Sequence, residues 1–280
     1  MKSLFLIAFC LGSLSVQAAI IGPKDNRMTY QEYAAVKFGG NLDTFYRQFS
    51  ASGVLFCHDA FESASIVGKN DVIVMAAHST FEKDRSGRCA PLSTLNQCYF
   101  QVLSKNGTPG RRIPIEPTSV RSSRNQDCNF TRFSTDWAVG RLKSPATEVT
   151  PYIPYDISKG PIGDPFLQWL TGSQIITLAA KNENFAGHSF STATVCDGKI
   201  GYVWPMKDPA GTYTFGLGTD CSSGPGNSGG AILLNQDGIY FLGPLHGGSG
   251  PEMNYRPFGA NNCSGSSLLQ GEFYQTLMGM

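Results

Sequence analysis

Residues 226–230 read Gly-Asn-Ser-Gly-Gly, and this stretch is the most informative part of the sequence. A serine between glycines is a common setting for an acyl-transfer nucleophile, because glycines let the main chain turn tightly beside the hydroxyl. The same pattern also occurs in ordinary tight turns. Its meaning therefore depends on whether the rest of the sequence supplies a base and an acid for Ser228.

Two upstream segments supply such partners. Residues 76–79 are Ala-Ala-His-Ser, and residues 136–139 are Asp-Trp-Ala-Val. His78 follows an apolar run and Asp136 precedes one, so each lies at the end of a buried strand, a position that suits a rigid site. Taken singly, His78 would be interpreted as a packed core residue, and Asp136 as a strand cap or a residue that binds a loop amide.

Together these residues can divide the steps of acyl transfer. Ser228 is the candidate nucleophile, which needs a base within hydrogen-bonding reach. His78 is the candidate base and later protonates the leaving amine, while Asp136 is the candidate group that fixes the tautomer of the imidazole. The amides of Gly226 and Ser228 are the candidate oxyanion hole, in which the loss of one donor typically costs ~10²–10³ in rate.

The order His78, Asp136, Ser228, with these flanking residues, resembles the trypsin/chymotrypsin-like serine endopeptidases. The resemblance extends from about Ile20 to the C-terminus. It implies an all-β fold of two six-stranded antiparallel β-barrels with the active site between them, plus a C-terminal helix. An α/β-hydrolase would need the order Ser, Asp or Glu, His. The histidine that follows Ser228, His246, is too close to it for the strands and helices of that fold.

Two residues depart from the animal digestive members of this family. Asn227 stands where they have an aspartate that pairs with a new terminal amine, so that ion pair cannot form. Ser79 stands where they have a cysteine. Both features are similar to the bacterial branch that contains glutamyl endopeptidases, as is the segment 20–27, Ile-Ile-Gly-Pro-Lys-Asp-Asn-Arg. In that branch the terminal amine can lie near the specificity pocket.

The resemblance also implies residues for a substrate pocket. Ser223 lies where glutamate-specific members have Ser or Thr, and His246, in Gly-Pro-Leu-His-Gly-Gly, is similar to their pocket histidine. A hydroxyl and an imidazole can both donate to a glutamate carboxylate. However, His246 is one residue farther from Gly243 than in that pattern, which turns a strand residue to the opposite face. The alternative is a surface or structural histidine.

A pocket for Lys or Arg would need a buried acid, where this chain has Ser222 and Ser223.

Charge and the N-terminus narrow the function classes. The 280 residues allow one or two domains with a sizeable core, and 22 Lys and Arg nearly balance 21 Asp and Glu. Because no charge run would follow a phosphate backbone, we expect no nucleic-acid partner.

Lys2, an apolar run over 4–14 and a small-residue cleavage site at 16–18 predict a signal peptide over 1–18, and hence a secreted or periplasmic protein. No segment is long and apolar enough to span a bilayer, so no membrane partner is expected.

The mature chain is predicted to form two halves. Residues 145–165 contain five prolines and few apolar runs, which predicts a linker. It would separate an N-terminal barrel over 19–150, which carries His and Asp of the triad, from a C-terminal barrel over 151–280, which carries Ser, the pocket and the terminal helix.

Short β-rich runs between Gly, Pro, Asn and Ser clusters indicate a barrel or sandwich rather than βαβ units. Strands are predicted over 72–75, 174–179, 231–234 and 239–242. The helix is predicted from the spacing of Leu269, Phe273 and Leu277, with Ser266 or Ser267 as its cap.

Seven cysteines follow residue 18, and export favours disulfides over thiols. We expect Cys196 to pair with Cys221, the four cysteines between 57 and 128 to form two bridges, and Cys263 to be left over. The chain has no Cys-x-x-Cys pair, which makes a zinc site unexpected. His58 and His188 are interpreted as surface or loop residues.

The sequence therefore predicts a secreted serine endopeptidase that acts as a monomer on protein or peptide substrates and uses no cofactor or metal. A preference for Glu at P1 depends on the pocket formed by Ser223 and His246. The alternative is a catalytically inactive homologue that keeps the scaffold as a binding module. Retention of His78, Asp136, Ser228 and the surrounding glycines favours the enzyme.

Overall fold

The computed structural model describes residues 20–21, 24–57, 60–105, 109–123, 128, 133–156, 168–181, 193–207, 213–248, 255–256 and 263–280. The predicted signal peptide, His58 and His188 lie outside these residues.

Strands make up most of the regular structure. Up to residue 142 they are β1 (Ile20–Ile21), β2 (Met28–Thr29), β3 (Ser52–Cys57), β4 (Ala60–Ile66), β5 (Val72–Met75), β6 (Phe81–Lys83), β7 (Cys89–Pro91), β8 (Tyr99–Leu103), β9 (Pro109–Ser122) and β10 (Ala138–Leu142). The later strands are β11 (Ile153–Pro154), β12 (Gln174–Ala179), β13 (Thr194–Lys207), β14 (Tyr213–Thr219), β15 (Ala231–Asn235), β16 (Ile239–Gly248), β17 (Tyr255–Arg256) and β18 (Ser264–Ser267). The α-helices whose bounds lie within the described residues are α1 (Tyr30–Phe38), α2 (Leu42–Phe49) and α3 (Gly271–Met278).

Six strands close the first barrel, in the order β10-β5-β4-β3-β8-β9, and each pair is antiparallel. The strand β5 is an unbroken apolar run with every residue buried, as expected for a strand covered on both faces. It pairs with β10 so that Ala138 lies opposite Met75. The end of β5 and the start of β10 therefore lie at the same edge of the barrel.

The second barrel has the strand order β16-β15-β12-β13-β14-β18, and β18 pairs back onto β16 to close the ring. All of these pairs are antiparallel. The short strand β2 adds to β13, and β11 adds to β16 in parallel. Two closed six-stranded barrels with a C-terminal helix confirm the predicted all-β fold.

The predicted strands coincide with observed ones. Residues 72–75 and 174–179 are β5 and β12, while the other two predicted strands are the first parts of β15 and β16. The β16 strand continues to Gly248, well beyond its predicted end, because it pairs first with β15 and then with β18.

The C-terminal helix is confirmed, but its predicted cap is wrong. The residues whose spacing predicted the helix are all buried: Leu269, Phe273 and Leu277. Ser266 and Ser267 instead belong to β18, where they pair with β14. The helix begins at Gly271, after an extended Gln270 that makes no side-chain capping bond.

The sequence analysis missed the helices α1 and α2. Thr29 and Glu32 form a capping box at the start of α1, in which Thr29 Oγ1 accepts from the Glu32 amide at 3.1 Å and Glu32 Oε2 accepts from the Thr29 amide at 2.8 Å. Asn41 caps α2 by accepting from the amide of Thr44 at 3.0 Å. These caps are visible in the sequence, but the apolar residues of both helices are mostly aromatic, and aromatic residues are enriched in strands.

Three disulfides join the described residues: Cys57–Cys98, Cys89–Cys128 and Cys196–Cys221. The predicted pairing of Cys196 with Cys221 and the two bridges within the first half are confirmed. Cys263 is buried and takes part in none of these bridges.

The described part of the predicted linker, residues 145–156, is fastened to both barrels. The amide of Tyr152 donates to the carbonyl of Ile66 at 3.0 Å, and the amide of Tyr155 donates to the carbonyl of Phe241 at 3.0 Å. The segment therefore runs along the structure and is not a loose tether. In the described part of the chain, no helix combines the length and apolar character needed to cross a bilayer.

The aromatic cluster of α1 and α2 gives a stability prediction. Phe45 is fully buried, and its ring packs against those of Tyr30, Tyr33 and Phe49. We expect Phe45→Ala to lower the free energy of unfolding by about 3–5 kcal/mol, because it removes apolar burial and leaves a cavity. The measurement is denaturant unfolding, with Val36→Ala on the exposed face of α1 as the control, expected to change stability by less than about 0.5 kcal/mol. An equal effect of the two substitutions would contradict this packing.

Candidate active site

His78 is positioned by the end of a buried strand. The strand β5 passes into a one-turn 3-10 helix, Ala77–Ser79, whose middle residue is His78. The amide of His78 donates to Asp136 Oδ1 at 2.9 Å, and its ring Nδ1 lies 2.7 Å from Asp136 Oδ2. Both carboxylate oxygens thus contact the same residue, which fixes the orientation of the ring.

Asp136 reaches this position through strand pairing. It lies just before β10, and the opposition of Ala138 and Met75 places it beside the end of β5. Trp137 stacks on Phe273 of α3, with ring centroids 4.6 Å apart and planes 5° apart. The C-terminal helix therefore packs on the segment that carries the carboxylate.

A second imidazole shares the carboxylate. His246, on β16, forms a hydrogen bond through Nδ1 to Asp136 Oδ2, the oxygen that His78 also contacts. The two histidine rings meet edge to face, with centroids 5.3 Å apart. His246 was predicted to line the substrate pocket, and its contact with Asp136 was not predicted from the sequence.

Asp136 is fully buried. Burial alone would raise the pKa of this carboxyl, because its charged form loses hydration. The imidazoles of His78 and His246 outweigh burial and hold the pKa of Asp136 well below its usual range. The carboxyl group is therefore ionised at neutral pH and can stabilise a cationic imidazole.

Glu62, on β4, faces the other nitrogen of the His78 ring. Its Oε1 lies 3.5 Å from Nε2, and its Oε2 accepts a hydrogen bond from the hydroxyl of Ser79. Burial lowers the pKa of His78, but the carboxylates of Asp136 and Glu62 raise it more, so that it lies well above the usual value. The sequence analysis missed Glu62, which stands in no recognisable motif.

Ser228 lies in the loop that precedes β15 and is buried. Its carbonyl oxygen accepts from the amide of Ser63 on β4 at 2.8 Å. Its hydroxyl donates to the carbonyl oxygen of His246 at 3.0 Å. In this conformation the hydroxyl proton is directed to a main-chain acceptor and not to the ring of His78.

Gly229 shows how closely the Ser228 loop approaches the first barrel. Its φ is +78°, and a Cβ added there would lie 2.0 Å from the carbonyl oxygen of Ser63 and 3.1 Å from the amide nitrogen of Ala76. Only glycine fits both the conformation and the space. The loop therefore packs against β4 and against the residues just before His78, which brings the three predicted triad residues to one junction.

The predicted oxyanion hole lies in the main chain beside Ser228. Gly226 has φ +85°, and its carbonyl oxygen accepts from Ser63 Oγ at 2.8 Å. Among the described residues, the amides of Asn227 and Gly230 donate to main-chain carbonyls, whereas those of Gly226 and Ser228 donate to no acceptor. These are the two amides that the sequence predicts as the oxyanion hole.

The predicted pocket residue Ser223 is fully buried. Within the described chain, its hydroxyl has no hydrogen-bond partner. The neighbouring Ser222 accepts from the amide of Ile21 at 3.1 Å. The N-terminal segment therefore reaches the stretch that the sequence analysis assigned to the pocket.

His78, Asp136 and His246 are also the described residues with the donor set of a metal site. One ligand atom from each lies within 4.8 Å of the others. Imidazole and carboxylate groups are ligands that zinc accepts. Both imidazoles also form hydrogen bonds with the Asp136 carboxylate, an arrangement that suits acid–base chemistry as well.

Comparison with known proteins supports the fold. A solved structure of a Glu endopeptidase in complex with MPD is similar over 92% of this chain and 97% of its own chain, with a TM-score of 0.61 and 11% sequence identity. No family model matches the sequence, and no curated protein matches it. The similarity is one of fold: the chain has the two-barrel architecture of the trypsin/chymotrypsin-like endopeptidases.

The contacts of His78 predict its titration. In an NMR titration we expect the imidazole to lose its proton well above the ordinary value of about 6.5. Glu62→Gln should lower the pKa of His78, because it removes one of the two carboxylates that favour the charged ring. Glu116→Gln is the control, since Glu116 accepts from Thr118 on the same strand. An unchanged pKa in Glu62→Gln would contradict the assigned contact.

Proposed function

We propose that this protein is a secreted serine endopeptidase that hydrolyses peptide bonds through Ser228, His78 and Asp136. The observation that carries the proposal is the pair of hydrogen bonds between His78 and Asp136. The loop that carries Ser228 packs against β4 and against the residues just before His78. The two-barrel fold is consistent with this reaction, and so is similarity to a Glu endopeptidase structure.

In the proposed reaction, the Ser228 hydroxyl attacks the carbonyl carbon of the scissile peptide while His78 Nε2 accepts its proton. Asp136 accepts a hydrogen bond from Nδ1–H of the ring and stabilises the imidazolium without taking the proton. The oxyanion forms at the amides of Gly226 and Ser228. His78 then protonates the leaving amine. Water, deprotonated by His78, attacks the acyl-enzyme, and His78 returns the proton to Ser228 Oγ as the acid product leaves.

Two local changes precede this chemistry. The Ser228 hydroxyl must rotate from the carbonyl of His246 to His78, and Glu62 must withdraw from Nε2. Both are side-chain rotations. Since His78 must be neutral to act as a base, its raised pKa means that activity is lost as the pH falls through a value above that of ordinary histidine.

Substrate preference follows from the proposed pocket. The buried hydroxyl of Ser223 lacks a hydrogen-bond partner among the described residues, so it is available to donate to a carboxylate. His246, whose Nδ1 contacts Asp136, is the second residue of this proposed pocket. We therefore propose Glu at P1, with Ser223 and His246 as its ligands.

The remaining proposals concern setting. The three disulfides fit an exported protein, and the signal peptide over 1–18 would direct it to the periplasm or the medium. We propose a barrel boundary near residue 150, a monomeric state, and protein or peptide substrates.

One observation favours a second candidate, an inactive homologue that serves as a binding module. The hydroxyl of Ser228 donates a hydrogen bond to the carbonyl oxygen of His246. The carboxylate of Glu62 lies beside Nε2 of His78, the nitrogen that accepts the proton in the proposed reaction. If this arrangement is permanent, the site binds peptides without cleaving them.

Chemical labelling separates the two candidates. We expect a fluorophosphonate to modify the mature protein on Ser228, because the attacking oxygen is activated by His78. Ser228→Ala should abolish labelling, and both Ser228→Ala and His78→Ala should lower kcat by ~10⁶. Mass spectrometry of the labelled peptide is the measurement. A folded wild-type protein that takes no label would favour the binding module.

A peptide library tests the pocket. We expect cleavage after Glu, and a reduced preference for Glu over Gln in Ser223→Ala, because a hydroxyl that donates to the carboxylate is lost. Ser86→Ala, on the exposed surface, is the matched control. A flat or apolar P1 profile would remove Ser223 and His246 from the pocket while leaving the proposed hydrolysis intact.

A further inference from the structure

The side chain of Asn227, the residue before Ser228, is a buried connector. Its Oδ1 accepts from the amide of Gly224 at 2.6 Å and from Arg27 Nη1 at 3.3 Å, and its Nδ2 donates to the carbonyl of Lys181 at 2.9 Å. An amide side chain can accept from the first two groups and donate to the third, whereas an ionised carboxylate can only accept. An aspartate here would place a carboxylate against the carbonyl oxygen of Lys181.

Arg27 is itself held rigidly. Its side chain is 2% exposed, and its guanidinium pairs with Asp25, with Nε at 2.9 Å from Oδ1 and Nη2 at 2.5 Å from Oδ2. The amide of Arg27 also donates to Asp25 Oδ1 at 3.0 Å. A buried charge needs such a partner. Because Asp25 already neutralises the guanidinium, Nη1 can donate to the neutral acceptor Asn227 Oδ1.

The intervening residue fastens the same segment to the loop. Asn26 Nδ2 donates to the carbonyl of Asp220 at 2.8 Å, and Asn26 Oδ1 accepts from the amide of Ser222 at 2.8 Å. Residues 25–27 therefore run beside residues 220–227 with a side-chain bond at each end. The N-terminal segment is part of the support of the Ser228 loop.

We infer that Arg27 is a positioning residue for the loop that carries Ser228, acting through Asn227 and held in place by Asp25. The Arg27–Asp25 pair thus holds a fixed donor against the residue that precedes Ser228. Its effect on catalysis rests on the proposed function, whereas its effect on loop order does not.

Two variants test the inference from opposite sides. Arg27→Met removes the donor at similar side-chain volume, and Asn227→Ala removes its acceptor while leaving the Arg27–Asp25 pair. We expect each to lower the rate of Ser228 phosphonylation and kcat by ~10²-fold with a smaller change in KM, because a displaced loop misplaces the nucleophile. Arg88→Met, at an arginine with an 83% exposed side chain, is the control and should change neither.

The double variant shows whether the two residues act together. If Arg27 works through Asn227, Arg27→Met with Asn227→Ala should be no slower than the worse single variant. Hydrogen exchange should accelerate at residues 222–230 in both single variants, with the strands of the first barrel unchanged. Independent, multiplying losses would overturn the inference, as would unchanged exchange in folded Arg27→Met.

The same measurements keep this inference apart from the proposed function. If the folded wild-type protein takes no fluorophosphonate, the proposed hydrolysis fails, and the exchange data alone decide the role of Arg27. If Arg27→Met does not fold, Asn227→Ala and Arg27→Lys carry the test. Arg27→Lys keeps the charge but lacks the planar fork, so we expect partial loss of loop protection.

Discussion

A carboxylate as deeply buried as that of Asp136 is stable only when donors surround it. Here the main-chain amide and the ring of His78 and the ring of His246 supply those donors. The need to satisfy one buried charge thus joins a turn at the end of β5, the start of β10 and a strand of the second barrel. Much of the candidate site is a consequence of that requirement, since each donor is held where the carboxylate demands it.

The loop that carries Ser228 is also tightly held, by contacts with β4 of the first barrel. The amide of Ser63 donates a hydrogen bond to the carbonyl oxygen of Ser228, and its hydroxyl donates to the carbonyl oxygen of Gly226. Gly229 lies so close to Ser63 on β4 that a side chain would not fit there. The side chain of Asn227, within this loop, also forms hydrogen bonds with Gly224, Arg27 and Lys181. In the proposed reaction, a serine held by main-chain contacts on several sides loses little freedom on binding a substrate, which favours acyl transfer. The side chains of Glu62 and Ser228, in contrast, occupy positions that a reacting enzyme must change.

The sequence predicted those parts of the molecule that depend on local patterns. The buried run of β5, the barrel architecture and the Cys196–Cys221 bridge were among these parts. Contacts between side chains distant in sequence were not. Glu62 carries no motif, the bond between His246 and Asp136 depends on how β16 is placed, and the capping box of α1 was overlooked among aromatic residues. The hydrogen bond from Arg27 to Asn227 joins residues 200 positions apart, and no local sequence pattern predicts such a contact.

The central claim is that Ser228, His78 and Asp136 form one reacting unit at the barrel junction. A crystal structure of the protein after reaction with a phosphonate ester tests it most directly. The account predicts a covalent bond from Ser228 Oγ to phosphorus, the phosphoryl oxygen at about 3 Å from the amides of Gly226 and Ser228, and His78 Nε2 within hydrogen-bonding distance of the ester oxygen. A structure in which Ser228 carries no adduct and still donates to the carbonyl of His246, with Glu62 on His78, would contradict it.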